Sequence, residues 1–191
     1  MSAAQAERLR AVLLDPVEAR RIEVAGSLVA AVLVPLYERD GGLWAVFTRR
    51  HSELRLHGGQ ISFPGGRPEP GDADLTETAL READEEIGLR PAAVELLGAL
   101  APAPTVVSDI AIHPVVGLID RPHAWTLAAD EVDAVLEGPL AALAATHRHK
   151  TVVRPGRVAT TDSYLLDGDE IWGATGRILT DLLVRLAGGT L

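Results

Sequence analysis

Seven carboxylates fall between Asp72 and Glu86, immediately after the tight Phe63-Pro64-Gly65-Gly66 stretch. On a helix of about 100° per residue, Glu82, Glu85 and Glu86 share an arc of about 100°. That arc lies beside the apolar stripe Leu75, Ala79, Ala83 and Ile87. Like charges this close repel by a few tenths of a kcal/mol per pair. Glu85 and Glu86 also sit near the helix C-terminus, where the macrodipole disfavours anions. A divalent cation reverses the sign of that cost. Hard oxygen donors suit Mg²⁺ or Mn²⁺, held by a few carboxylates together with water and substrate phosphate. Glu82, Glu85 and Glu86 are therefore the candidate metal ligands. The competing reading is a solvated acidic face, and it suits Glu77 and Asp84, which point away from the stripe.

The residues ahead of the helix suit an anionic substrate. Arg50 and Arg55 offer forked donors to phosphate oxygens. Gly58, Gly59, Gly65 and Gly66 let backbone N–H groups approach a phosphate closely. The alternative for the arginines is an ion pair with Glu53 or with the acidic helix. His57, alone in a glycine-rich loop, reads equally well as a residue that hydrogen-bonds the backbone.

These groups need a scaffold, and 191 residues suit one domain with a full core. A net charge of −9 argues against a nucleic-acid backbone as partner. With no cysteine in the chain, disulfides, thiolate nucleophiles and cysteine zinc sites are excluded. The first residues mix charge throughout and do not read as a signal peptide, and no apolar run reaches a membrane span. A cytoplasmic protein with no membrane contact is the expectation.

The predicted elements alternate strands and helices. Residues 2–14 form a short amphipathic helix with Ala4, Leu9, Val12 and Leu13 inward. Gly26–Arg39 is a buried strand, and Asp40–Gly42 turns into a second strand, Leu43–Arg50, as a hairpin. A helix begins near Asp74 and ends at Gly88 in the left-handed conformation. Further strands follow at "AVELLGALAP" and "AIHPVVGLI". "DEVDAVLEGPLAALAA" reads as a helical stretch broken at Gly138–Pro139, followed by strand, turn, strand, and by a closing helix over Ile171–Ala187. Trp172, Gly173 and Thr175 at its start read as packing and capping. The fold class is α/β or α+β with a mixed sheet.

"READEEIGL" (Arg81–Leu89) resembles the core of the Nudix hydrolase box, G-x5-E-x7-R-E-U-x-E-E-x-G-U, with U aliphatic. Arg81, Glu82, Glu85, Glu86 and Gly88 match its fixed positions, and Ala83 stands where a larger aliphatic residue is usual. The front half departs from the pattern. Asp72 replaces the first Glu, and eight residues rather than seven separate it from Arg81. Glu69 and Asp74 are rivals for that first acid. "FTRRHSELRLHGGQISFPGG" (Phe47–Gly66) is similar to the signature of the coenzyme A pyrophosphatase branch, with Thr48, Arg50, Arg55, Gly59, Phe63, Pro64, Gly65 and Gly66 in register. "EVDAVLEGPL" and "IWGATGRIL" also look like segments of that branch. The likeness runs from about Leu28 onward, so residues 1–25 form a helical extension of a single domain, 1–191.

The resemblance implies an α/β/α sandwich with a mixed central sheet. It also implies Mg²⁺- or Mn²⁺-dependent hydrolysis of the coenzyme A pyrophosphate to 3′,5′-ADP and 4′-phosphopantetheine. Glu82 and Glu86 would be the main metal ligands, with Glu85 as ligand or as base toward the attacking water. Arg81, Glu82 and Glu85 are the catalytic candidates, Arg81 in an orienting role. Arg50, Arg55, Gly59, Gly65 and Gly66 would bind substrate. Some enzymes of the family draw a base from outside the box, which Glu131 could be, but such a residue more often begins a helix and it is left off the site. The alternatives are a Nudix enzyme for another nucleoside diphosphate derivative, such as ADP-ribose or a dinucleotide, and a domain that binds a nucleotide without cleaving it.

Overall fold

Both faces of the strand Leu28–Arg39 (β1) are covered, which is why its apolar residues run on without alternating: Ala30 through Tyr37 are all buried. The computed structural model describes residues 3–53, 57–105, 109–122, 124–154 and 157–188. Gly42–Arg50 (β2) returns antiparallel, with Leu36 opposite Ala45 and Arg39 opposite Gly42. The turn between them has φ of 52° at Asp40 and 74° at Gly41. Two successive positive φ angles match the right-handed twist of the strands they join. The expected hairpin is therefore present.

On its other side β1 pairs in parallel with β7 (Ile110–Ile119), from Leu28 opposite Ile110 to Leu36 opposite Leu118. The strand β5 (Val94–Ala99) pairs antiparallel with β7. Short strands complete the sheet: β3 (Ile61–Ser62) on β2, β4 (Gly65–Gly66) on β1, and β6 (Ala103–Pro104) on β7. The result is an eight-stranded mixed sheet.

Its eighth strand corrects the sequence reading. Val132–Pro139 (β8) is extended and pairs with β2, from Trp44 opposite Pro139 to Arg49 opposite Ala134. Only Leu140–Ala145 is helical. Val132, Val135, Leu136 and Leu140 have helical spacing, but β2 has an outer edge of unpaired N–H and C=O groups. Closing that ladder outweighs a weak local helix preference. It follows that Glu131 precedes a strand and does not open a helix.

The helix Leu75–Ile87 (α3) covers one face of the sheet. Its Ala79, Ala83 and Ile87 pack on Ala31, Leu33, Val46 and Val115. Asp74 caps it, accepting from the N–H of Thr76 at 2.8 Å and of Glu77 at 3.0 Å. Gly88 ends it with φ 69°, donating to Asp84 at 2.9 Å, while Leu89 donates to Ala83 at 3.2 Å. On the opposite face lie Val32, Val34, Leu36 and Phe47. They meet the closing helix Gly173–Leu186 (α5), the Leu140–Ala145 helix and the N-terminal helix Ala3–Val12. These layers form the expected sandwich.

A second sheet joins that face: β9 (Arg148–Arg154), β10 (Arg157–Leu166) and β11 (Asp169–Trp172) in the order β11-β10-β9. In the N-terminal helix Leu9 is buried, and Val12 and Leu13 are half-buried. The side chain of Ala4 lies outside the described residues. Leu14 and Ala99 exchange backbone hydrogen bonds of 2.9 and 2.8 Å, and Arg185 donates to the Val12 carbonyl at 3.1 Å. Among the described residues no helix is long and apolar enough to cross a membrane.

Candidate active site

The site forms where β4 crosses behind the C-terminal half of α3. Gly65 and Gly66 pair with Val32 and Ala31 of β1, so the loop is pressed between the central strand and the helix. Neither position takes a side chain unless a neighbour shifts. A Cβ on Gly65 would come within 2.3 Å of the Ala31 carbonyl oxygen, and one on Gly66 within 2.4 Å of Glu82 Oε1. The two glycines therefore bring the loop backbone against the glutamates.

The three candidate glutamates separate into two environments. Glu82 and Glu86, one helical turn apart, face the glycine loop. Glu86 is buried, and its Oε2 is the buried side-chain polar atom without a hydrogen-bond partner among the described residues. Burial pushes its carboxyl up to about 8, against the opposing pull of Arg50 and of the Gly65 backbone N–H. Burial likewise raises Glu82, with Arg81 acting in the other direction. Glu85 is exposed and accepts from Arg81 Nη1 at 2.8 Å.

Glu131, which the sequence reading left off the site, adds negative charge felt by both Glu82 and Glu86. It reaches the cluster because its carbonyl accepts from the His51 N–H at 2.7 Å, at the start of β8. The sequence held only one hint of this, the idea of a base from outside the box.

Asp72 is the acid that replaces the first Glu of the box, and its role is visible in its bonds. It accepts from Arg81 Nε at 3.0 Å, Arg81 Nη2 at 3.1 Å, Thr78 Oγ1 at 2.8 Å and the Glu69 N–H at 2.9 Å. That engages about all the lone-pair sites a carboxylate has. The Arg81 fork also holds it well below the usual carboxylate range. Its rival Asp74 is occupied as the cap of α3, and Glu69 is exposed. Arg81 further donates to the Arg67 carbonyl at 3.1 Å and lies 3.1 Å from Glu82 Oε1. It thus ties the loop, Asp72, Glu82 and Glu85 into one network and acts as a positioning residue.

Arg50 reaches the cluster too. Its Nη1 stands 3.8 Å from Glu86 Oε1, the pairing with the acidic helix weighed against phosphate binding. It also lines a cavity of about 320 Å³ that opens beside the glycine loop. Its lining mixes polar and charged groups such as Arg50, His57, Gln60 and Arg67 with the apolar side chains of Ile61, Phe63, Ile112 and Trp172. Trp172 and Thr175, which the sequence assigned to packing and capping, are both part of this wall. Lys150 lies over the Trp172 ring at 4.6 Å from its centroid. His57 Nδ1 is 2.9 Å from Gln60 Oε1. Gly59 donates its N–H to the Arg50 carbonyl at 3.0 Å, so it closes the loop and does not offer that donor to a ligand. Arg55 lies outside the described residues.

A divalent cation fits this donor set. A buried carboxylate with an orphaned oxygen, a second half-buried carboxylate beside it and a third negative group near enough to act on both are costly together and become favourable around a hard cation. Glu82 and Glu86 could hold it, with the exposed Glu85 next in sequence to Glu86 and the charge of Glu131 reaching both.

Comparison with known proteins agrees with this geometry. The NUDIX domain model matches residues 27–152. A protein of Salmonella paratyphi B (strain ATCC BAA-1250 / SPB7), "Uncharacterized Nudix hydrolase NudL", is 39% identical over 167 residues, 86% of this chain and 85% of its own. Its namesake in Salmonella newport (strain SL254) gives the same figures. Among solved structures, a MutT/nudix family protein from Enterococcus faecalis aligns with a TM-score of 0.55 and 16% identity, over 94% of this chain and 72% of that one. RenU, a Nudix hydrolase from M. smegmatis, gives 0.52 and 17%, over 63% and 75%. The structural likenesses speak for the fold, and the family model together with the 39% relatives establishes that this chain belongs to the Nudix hydrolase family.

Proposed function

We propose that this Nudix pyrophosphohydrolase cleaves the pyrophosphate of coenzyme A, releasing 3′,5′-ADP and 4′-phosphopantetheine. The observation that carries the reading is the mixed polar and apolar lining of the cavity beside the glutamates. Arg50, His57 and Gln60 line it with the glycine loop, and so do the apolar side chains of Ile61, Phe63, Ile112 and Trp172. Coenzyme A has the same two characters, a charged diphosphate and a long, weakly polar arm. The register of Phe47–Gly66 with the coenzyme A signature supports the same substrate.

In this reading Glu82 and Glu86 hold Mg²⁺ or Mn²⁺, which when bound would offset the pyrophosphate charge and make water a stronger acid. Arg81 fixes the rotamers of Glu82 and Glu85 through its fork to Asp72. Glu85, exposed, one turn after Glu82 and next in sequence to Glu86, serves as ligand or as base toward the attacking water, with Glu131 the second candidate base. Arg50 binds a phosphate oxygen when substrate displaces its long contact to Glu86. Gly65 and Gly66 let the loop backbone approach the same phosphates, and Gly59 shapes the loop that carries Arg50.

The test is incubation of the purified protein with coenzyme A and Mg²⁺ or Mn²⁺, with chromatographic separation of products and Glu86→Gln as control. Release of 3′,5′-ADP only with metal and only with intact Glu86 is the expected result. Survival of coenzyme A while ADP-ribose or a dinucleotide is cleaved would move the substrate assignment and leave the glutamate cluster standing. No cleavage of any of these, with nucleotide still bound, would mean a binding domain.

A further inference from the structure

The β9–β10 hairpin carries a second constellation with metal-ligand chemistry, outside the glutamate cluster. We infer that His147, His149 and Asp162 form a site for a borderline dication of the Zn²⁺ class. His147 immediately precedes β9, His149 is its second residue, and their rings stand 5.2 Å apart. Asp162 stands directly opposite His149 in the antiparallel ladder. The three donor atoms all lie within 4.8 Å of one another.

The spacing suits a tetrahedral ion. Bonds of about 2.1 Å at tetrahedral angles put neighbouring ligand atoms about 3.4 Å apart. Asp162 Oδ1 is 2.8 Å from His147 Nε2 and 3.6 Å from His149 Nδ1, which brackets that value. The donor types separate the two sites chemically. Two imidazoles and one carboxylate favour Zn²⁺, Ni²⁺ or Cu²⁺, whereas the all-oxygen glutamate cluster favours Mg²⁺ or Mn²⁺.

Two of the three ligands are held in place before any ion arrives. At residue 176 of α5 a Cβ would come within 2.5 Å of the Asp162 carbonyl oxygen, so helix and strand touch there and fix the Asp162 backbone. The His147 ring packs 5.1 Å from the ring of Tyr164, which is buried and whose hydroxyl is 2.7 Å from Thr180 Oγ1. His149 is 72% exposed and has room to turn its ring onto the shared ion. A supported pair plus one mobile arm leaves the fourth position to water. The ion would tie β10 to β9, the strand that carries Lys150 over Trp172. The simpler alternative is a His147–Asp162 hydrogen bond with His149 as a bystander.

The test uses full-length protein without a histidine tag, titrated calorimetrically with ZnCl₂ in excess Mg²⁺. One equivalent of Zn²⁺ is expected in wild type. His147→Ala/His149→Ala is expected to weaken it by at least about tenfold, and Asp162→Asn to weaken it as well. The same titration in Glu82→Gln/Glu86→Gln is expected to keep the equivalent, which removes the glutamates as its source. Co²⁺ in place of Zn²⁺ should give a tetrahedral visible absorption that His149→Ala alone removes. Absence of binding in wild type, undiminished binding in the double-histidine variant, or indifference to both His149→Ala and Asp162→Asn would each overturn the site. Thermal melts without added metal check that every variant is folded.

Discussion

The carboxylate of Glu82 occupies the space that a side chain at residue 66 would take. A Cβ there would stand 2.4 Å from Oε1 and 2.6 Å from Oε2. Gly66→Ala must therefore push the flexible end of Glu82 aside while leaving the backbone in place. A displacement of about 1 Å in a positioned catalytic group costs about 10²-fold in rate. The expected result is a kcat fall of that size with little change in Tm. Gly71→Ala, where a Cβ meets nothing within 4 Å, is the control. Equal turnover in the two variants would show that Glu82 works from another position.

At the neighbouring residue the obstacle is backbone. A Cβ on Gly65 would meet the Ala31 carbonyl oxygen at 2.3 Å and Val32 Cα at 2.6 Å, at a φ of 155°. Neither atom can rotate away. Gly65→Ala should destabilise the fold by about 3 kcal/mol or more, read as a shift of the urea midpoint. A midpoint equal to that of Gly66→Ala would contradict the close packing of β4 on β1.

Arg81 bonds to Asp72 through both Nε and Nη2, a geometry an ammonium group cannot reproduce. Arg81→Lys should keep the charge, lose the fork and reduce kcat/KM by about 10- to 100-fold, with weaker metal activation. The same pair sets the acid limb of stability. Asp72 has a folded pKa below its unfolded one, so its contribution is fully present above the ordinary carboxylate range and is lost as pH falls through it. Arg81→Ala should flatten that limb in denaturation experiments run from neutral to acid pH. An unchanged acid limb would mean that Asp72 draws its stabilisation elsewhere.

Glu86 behaves in the opposite sense. Its carboxyl is pushed up to about 8 in the metal-free protein, above the ordinary value of about 4.3. Between those values the folded state holds a proton that the unfolded state has lost. Metal-free stability should therefore fall as pH rises through that window, with the whole loss reached above about 8. Mn²⁺ binding must displace the proton, so its affinity should rise with pH and level off near the same point. Melts in chelator and in Mn²⁺ across this range would measure both slopes. Glu86→Gln should abolish both, and a retained slope would assign the titration to another group.

The sequence by itself determined the local elements whose signals are short-range. The Asp40–Gly42 turn, the helix start near Asp74, the Gly88 stop and the stripe Leu75, Ala79, Ala83 and Ile87 each depend on neighbours within one or two turns of chain, and each is where the sequence placed it. The clustering of Glu82, Glu85 and Glu86 on one arc was legible for the same reason. Only the tertiary structure decided what that arc meets. Glu82 and Glu86 turn to a loop held by pairing with β1, and Glu85 turns to Arg81. It also decided that Val132–Pro139 is a strand, because the partner it satisfies lies on β2, far away in sequence. Glu131 and Trp172 join the site, Lys150 meets Trp172, and His149 meets Asp162, only through such long-range pairing. Periodicity reports which face of an element is apolar. Which other element covers that face is set by burial and hydrogen bonding across the whole chain, so side chains distant in sequence become neighbours only in the folded protein.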